Sequence, residues 1–125
     1  MTISAIPVIA VTDSVRAEDY YCKVLGFQKM FAWRPDESRR DPCYLGVARD
    51  EVMLHLQSFK PERAGKTDAF LWVADVDRLH DELCARGTAI RLPPTNQMWG
   101  TREMAVGDPD GNVLCFATKP PDTKV

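Results

Sequence analysis

The chain has no Cys-x-x-Cys pair, no basic stripe, and no apolar stretch of membrane-spanning length, and each absence removes a class of function. Its four cysteines, Cys22, Cys43, Cys84 and Cys115, stand far apart. They read as reduced thiols packed as small hydrophobes, not as a disulfide framework. With 16 Lys and Arg against 18 Asp and Glu, the formal charge is -2 with both signs scattered. Such a surface offers no patch to neutralise phosphates, so neither nucleic acid nor a membrane is an expected partner. The opening Met-Thr-Ile-Ser-Ala-Ile-Pro lacks the charged start and long apolar run of a signal peptide, so a cytoplasmic location is expected. No Ser-His-Asp or Cys-His set is readable.

What the chain does have is one pattern written twice. Val11-Thr12-Asp13 opens a helical stretch that closes at Leu25-Gly26-Phe27, and Val73-Ala74-Asp75 opens another that closes at Arg86-Gly87-Thr88. A half of about 60 residues would be marginal alone, burying only about 60% of its unfolded surface. The sequence therefore predicts one domain over 1–125, with module one at about 1–59, a linker at 60–67 and module two at about 68–119. Two half-sheets should meet about a pseudo-twofold axis with a cavity at their seam.

Within module one, β-branched Ile3 to Val11 reads as a strand, with Pro7 allowed near an edge. Asp13 and Ser14 offer N-caps. Ala17, Tyr21, Val24 and Leu25 recur at helical spacing before Gly26. Phe27 to Trp33 is a second strand, and Cys43 to Ala48 with Glu51 to Gln57 is a hairpin turning at Arg49-Asp50. Module two repeats the plan with a strand over 68–73, a helix capped by Asp75 and ended by Gly87, and a strand over 88–92. An extended loop starts at Pro93-Pro94. Two further strands, 102–106 and 112–118, are joined by Asp108-Pro109-Asp110-Gly111. A solvated tail is expected from Pro120 onward.

Strand alternation sorts these residues onto two faces. One is aliphatic and suits helices. The other carries His55, Gln57, Asp68, Phe70, Trp72 and Cys115, a mixture better matched to a wet, aromatic ligand cavity than to a core.

The Val-x-Asp, helix, Leu-Gly-Phe opening, its Val73-Ala74-Asp75-Val76-Asp77 echo, and the run from Trp99-Gly100-Thr101-Arg102-Glu103 to Asp108-Pro109-Asp110-Gly111-Asn112 resemble the glyoxalase, bleomycin-resistance and dioxygenase superfamily, the vicinal oxygen chelate proteins. The resemblance covers nearly the whole chain. It implies an α+β fold of paired β-α-β-β-β modules forming a cup-shaped mixed sheet, and usually a homodimer. It also places Ile6, His55, Asp68 and Cys115 where metal-dependent members carry their four ligands. Ile6 has no lone pair to offer, and Cys115 would bind only as a thiolate. A divalent metal held by His55 and Asp68, serving a lyase, isomerase or dioxygenase, is the alternative reading.

The reading preferred from the resemblance is a binding protein without a cofactor, of the bleomycin-resistance type, that sequesters a small molecule. Trp99 and Phe31 match the family's aromatic positions. Strand parity adds Trp33, which shares a face with Phe31, and Trp72, which shares one with Asp68. His55, Gln57, Asp68 and Cys115 would supply polar contacts. Lys29, Arg34, Arg39 and Arg40 fall near the expected groove and disfavour a polycationic ligand. A flat aromatic natural product of lower charge suits the tryptophans as well as bleomycin does.

Overall fold

The computed structural model describes residues 1–120, so the expected tail, beyond Pro120 itself, lies outside the described residues. The protein is α+β and consists of two β-α-β-β-β modules with the same strand order. Its contacts cluster into two compact units. One is Met1–Thr67 with Asp108–Asn112, and the other is Asp68–Gly107 with the segment from Val113 onward.

In the first unit, β1 (Val8–Ala10) precedes α1 (Ser14–Asp19), which runs on as a π-helical turn over Tyr20–Val24. Then come β2 (Gln28–Trp33), β3 (Tyr44–Arg49) and β4 (Val52–Gln57), followed by a 3-10 turn at Pro61–Arg63. The sheet order is β1-β4-β3-β2. Val8 lies opposite His55 in a parallel pairing, and the other pairings are antiparallel. In the second unit, β5 (Asp68–Trp72), α2 (Val76–Ala85), β6 (Ile90–Asn96), β7 (Arg102–Gly107) and β8 (Val113–Thr118) give the order β5-β8-β7-β6. There Phe70 lies opposite Cys115, again in parallel. The repeat seen in the sequence is thus a repeat of register as well.

Local chemistry fixes the helix ends. Asp13 accepts the Val15 and Arg16 amides at 3.0 and 3.1 Å, and Asp75 accepts the Arg78 amide at 3.1 Å. Both satisfy orphan donors of a first turn. Gly26 (φ 78°) and Gly87 (φ 83°) end the helical segments in the left-handed region, where a Cβ would be strained. Alternation in β5 leaves Ala69 and Leu71 buried and Asp68, Phe70 and Trp72 exposed. Ile9, Tyr21, Leu45, Leu54 and Leu56 fill the core of the first unit, and Val76, Leu83, Met104 and Leu114 that of the second.

Three expectations need correction. The first strand is Val8–Ala10, not Ile3 to Val11; the backbone toward the N-terminus adds only the Pro7 carbonyl, which accepts the His55 amide at 3.0 Å. Ile3 and Ile6 are exposed. The first helix is not uniformly α. Its last turn widens, with the Leu25 amide donating to the Tyr20 carbonyl five residues back, and Tyr21 in that turn is fully buried. Pro93 and Pro94 do not start a loop but lie inside β6. That strand is at a sheet edge with two register shifts, where missing amide donors are tolerated.

The turn at 108–112 packs within the first unit and is its most connected polar feature. The buried Asp108 carboxylate accepts the Tyr21 hydroxyl at 2.8 Å and, at 2.9 Å each, the Asp110 and Asn112 amides and the Asn112 side-chain amide. Asn112 also donates to the Ala10 carbonyl at 2.9 Å and accepts the Gly65 and Thr67 amides at 3.0 and 3.2 Å. Every polar atom of its side chain is therefore matched.

Candidate ligand-binding site

Two cross-strand rows build the site of the first unit. Trp33, Tyr44 and Gln57 lie side by side across β2, β3 and β4, as do Phe31, Gly46 and His55. Gly46 leaves room for the Phe31 ring, with which a Cβ there would collide. The ring lies over that gap, stacked with Tyr44 at 6.4 Å and edge-on to His55 at 5.4 Å. His55 Nδ1 is 3.0 Å from the Tyr44 hydroxyl. Trp33 stacks on Phe59 with ring centroids 5.9 Å apart and planes within 8°. Both rings remain solvent-accessible, at 57% and 42%. They form part of an open groove of about 390 Å³ whose other lining residues are Tyr44, Gln57, Lys60 and Arg63. That volume is at the small end of the range for small-molecule sites.

In the second unit, Phe70 meets Trp72 edge-on at 4.9 Å, and the Lys119 ammonium lies 5.0 Å over the Trp72 ring. Trp99, exposed in the loop between β6 and β7, donates its indole N–H to Glu103 at 2.8 Å. Thr101 donates to the same oxygen, and the Cys115 thiol lies 3.4 Å from the other. The Thr101 hydrogen bond, supported by Trp99 and Cys115, holds the Glu103 carboxyl below the usual range. Burial, and then the adjacent Glu103 charge, push the Cys115 thiol up to about 12. Such a thiol stays protonated at neutral pH, which makes it a weak nucleophile.

Of the residues singled out in the sequence, Phe31 and His55 touch within the first unit, and Trp33 and Gln57 share its groove. Asp68, Trp72, Trp99 and Cys115 belong to the second unit, where Trp99 and Cys115 are joined through Glu103. Sequence reasoning overlooked Tyr44, Phe59, Lys60, Arg63 and Glu103. Tyr44 and Gly46 were findable, since a two-residue hairpin turn, found at Asp50-Glu51 and not at the expected Arg49-Asp50, puts them on the face of Gln57 and His55. The basic residues expected beside the groove are largely engaged elsewhere. Arg34 donates to the Arg40 carbonyl at 2.8 Å, Arg40 pairs with Asp13 at 2.7 Å, and Lys29 lies 3.6 Å from Glu18.

The donor chemistry is a poor fit for a divalent ion. His55 Nδ1 faces a phenol, the Cys115 thiol is held protonated, and the Glu103 carboxylate is shared by three donors. Among the described residues, no three His, Cys, Asp or Glu side chains gather as a metal-binding group. No helix among them is long and apolar enough to cross a membrane.

The chain belongs to the Glyoxalase/Bleomycin resistance protein/Dioxygenase superfamily, whose model matches residues 4–116. Among solved structures, it is similar to TnmS3, an antibiotic binding protein from Streptomyces sp. CB03234, with 30% identity and a TM-score of 0.74 over 95% of this chain and 98% of that one. It is also similar to the bleomycin-binding protein from bleomycin-producing Streptomyces verticillus, solved with copper(II)-bleomycin, with 28% identity and a TM-score of 0.71 over 98% of each chain. A glyoxalase/bleomycin resistance protein from Catenulispora acidiphila DSM 44928 shares 25% identity and a TM-score of 0.75, over 95% of this chain and 100% of that one. No curated protein matches the chain.

Proposed function

We propose that this protein binds and sequesters a flat aromatic small molecule of the antibiotic type, without a metal and without transforming it. The observation that carries this reading is the Trp33–Phe59 stack, two parallel accessible rings set in an open groove. Extended aromatic surface of this kind is stabilised by stacking a planar ligand on it, at low conformational cost to the protein. The likeness to proteins described as binding an antibiotic and bleomycin supports the same reading. A strongly cationic ligand suits the groove least, because Lys60 and Arg63 line it. The protein acts in this reading as a cytoplasmic homodimer; its four cysteines, all free, accord with a reducing compartment.

The test is a tryptophan-fluorescence titration with bleomycin and with planar aromatic antibiotics in EDTA, followed by mass spectrometry of the recovered ligand. Saturable quenching and an unchanged ligand mass are expected. A converted ligand, or binding that requires an added metal, overturns the reading. Light scattering checks the dimer, and a monomeric mass removes that part of it.

A further inference from the structure

The polar lining of the first unit's groove is biased toward donors, and this deepens the binding reading on which it rests. Gln57 Oε1 accepts the Lys60 backbone amide at 2.9 Å. A backbone N–H can only donate, so the oxygen of Gln57 is fixed on that side and its NH2 is left to serve as a donor. Trp33 carries an indole N–H, a donor without acceptor capacity, and Lys60 and Arg63 are cations with donors alone. Tyr44 is engaged with His55. The described lining contains no carboxylate. Basic residues nearby reach other partners, as Arg34 does the Arg40 carbonyl and Arg40 does Asp13. Lys60 and Arg63, by contrast, are brought to the rim by the 3-10 turn at Pro61–Arg63, directly after the Phe59 ring.

A ligand matched to this lining has an aromatic plane for Trp33 and Phe59 and an acceptor-rich, negatively charged group for Lys60, Arg63 and the Gln57 amide. We infer that the groove selects aromatic acids, planar ring systems bearing a carboxylate, sulfonate or phosphate, over neutral or cationic rings of the same shape. The aromatic rings supply affinity that shape alone decides, and the donors supply the discrimination. Arg63 contributes a planar fork suited to two-oxygen anions, and Lys60 a mobile point charge.

Three probes of nearly the same shape separate the terms: anthraquinone sulfonate, its neutral hydroxymethyl analogue and its cationic aminomethyl analogue. Each is titrated into the whole protein in EDTA, with tryptophan quenching as the readout. The sulfonate is expected to bind about tenfold more tightly than the neutral probe, the order expected for one charge-assisted contact at an open site. The cationic probe should bind least. Lys60→Ala with Arg63→Ala should bring the ratio of sulfonate to neutral-probe affinity close to one, and Lys60→Arg should keep it. Raising the salt should narrow the gap. Both residues are exposed, and circular dichroism of the variants checks that the fold is kept. Equal binding of all three probes, or a preference that survives the double substitution, overturns the inference while leaving the binding reading intact. Absence of quenching by any probe or by the antibiotics overturns both.

Discussion

Tyr21→Phe is the sharpest test of how the first unit is held together. The substitution removes one oxygen and leaves the ring, whose neighbours Tyr20 and Phe27 lie at centroid distances of 5.5 and 6.3 Å. What is lost is the 2.8 Å hydrogen bond from the buried hydroxyl to Asp108. A hydrogen bond to a charged partner is worth roughly 1.5–3 kcal/mol, and Asp108 keeps three other donors, so a loss of about 2 kcal/mol is expected. With an unfolding entropy of about 2.1 cal/mol/K per residue, a chain of this length should lose roughly 7 °C in Tm. Thermal and urea unfolding followed by circular dichroism would measure both, with the urea slope unchanged. The pH dependence gives an independent sign. Burial, then the Asp108 charge, raise the Tyr21 pKa above its ordinary value near 10. The native phenol thus stays protonated where the unfolded one ionises. The contribution is fully present below pH 10 and lost as pH rises above it. Tyr21→Phe lacks this component, so its alkaline limb should be shallower than that of the wild type. A Tm shift below about 2 °C together with superimposable alkaline limbs would refute the assignment of Asp108 as the polar centre of this unit.

Three further outcomes are expected. Asn112→Ala leaves the Ala10 carbonyl and the Gly65 and Thr67 amides without their partner, and should cost about 3 kcal/mol or more, read as a lowered urea midpoint. Gly46→Ala should expel the Phe31 ring from its place over β3. Phe31 is exposed and can swing outward, so the fold should persist with a loss of about 1 kcal/mol, while the Phe31 contribution to the ring-current shift of the His55 protons is lost from the NMR spectrum and that of Tyr44 remains. Glu103→Gln should act in two ways. The depressed native pKa of Glu103 makes it stabilising above its ordinary value near 4.5, with that stability lost as pH falls through the lower native value, so the variant's acid limb should be flatter. It should also speed alkylation of Cys115, followed by peptide mass mapping, because the neighbouring charge that helps hold the thiol protonated is gone.

Much of this architecture was legible because local and global preferences agree. Asp13 and Asp75 precede amphipathic stretches, glycines follow them, and the alternation of Ala69 and Leu71 with Phe70 and Trp72 belongs to a strand with one buried face. The failures came where a partner element decides. Ile3 and Ile6 have strand-like side chains, but beyond Pro7 they find no ladder beside β4. Pro93 and Pro94 are breakers in a central strand and harmless in an edge strand, and sequence does not say which edge a strand occupies. The π turn is invisible because widening a helix by one residue leaves its apolar spacing nearly intact. Of the β2 aromatics, Phe31 was named from the resemblance and Trp33 from parity. Lys60 and Arg63 were not, since they lie in a segment whose composition marks only a linker and whose return past Phe59 is set by tertiary structure. Glu103 stood in the run that carries the resemblance but was given no role; its buried carboxylate meets donors from the loop before it.

The turn at 108–112 also bears on whether the two repeats can be separated. Encoded in the second copy, it closes hydrogen bonds on Ala10, Thr12 and Tyr21, all encoded in the first. The matching hairpin bend of the first copy, at Asp50-Glu51, keeps an aspartate but has no Pro, Gly or Asn. The two copies therefore differ in sequence at this bend. A gene cut at the linker would yield an upstream fragment missing its own keystone, and a downstream fragment carrying one with nothing to lock. Neither fragment alone holds the whole lock, and the two supplied together retain every piece needed to rebuild it.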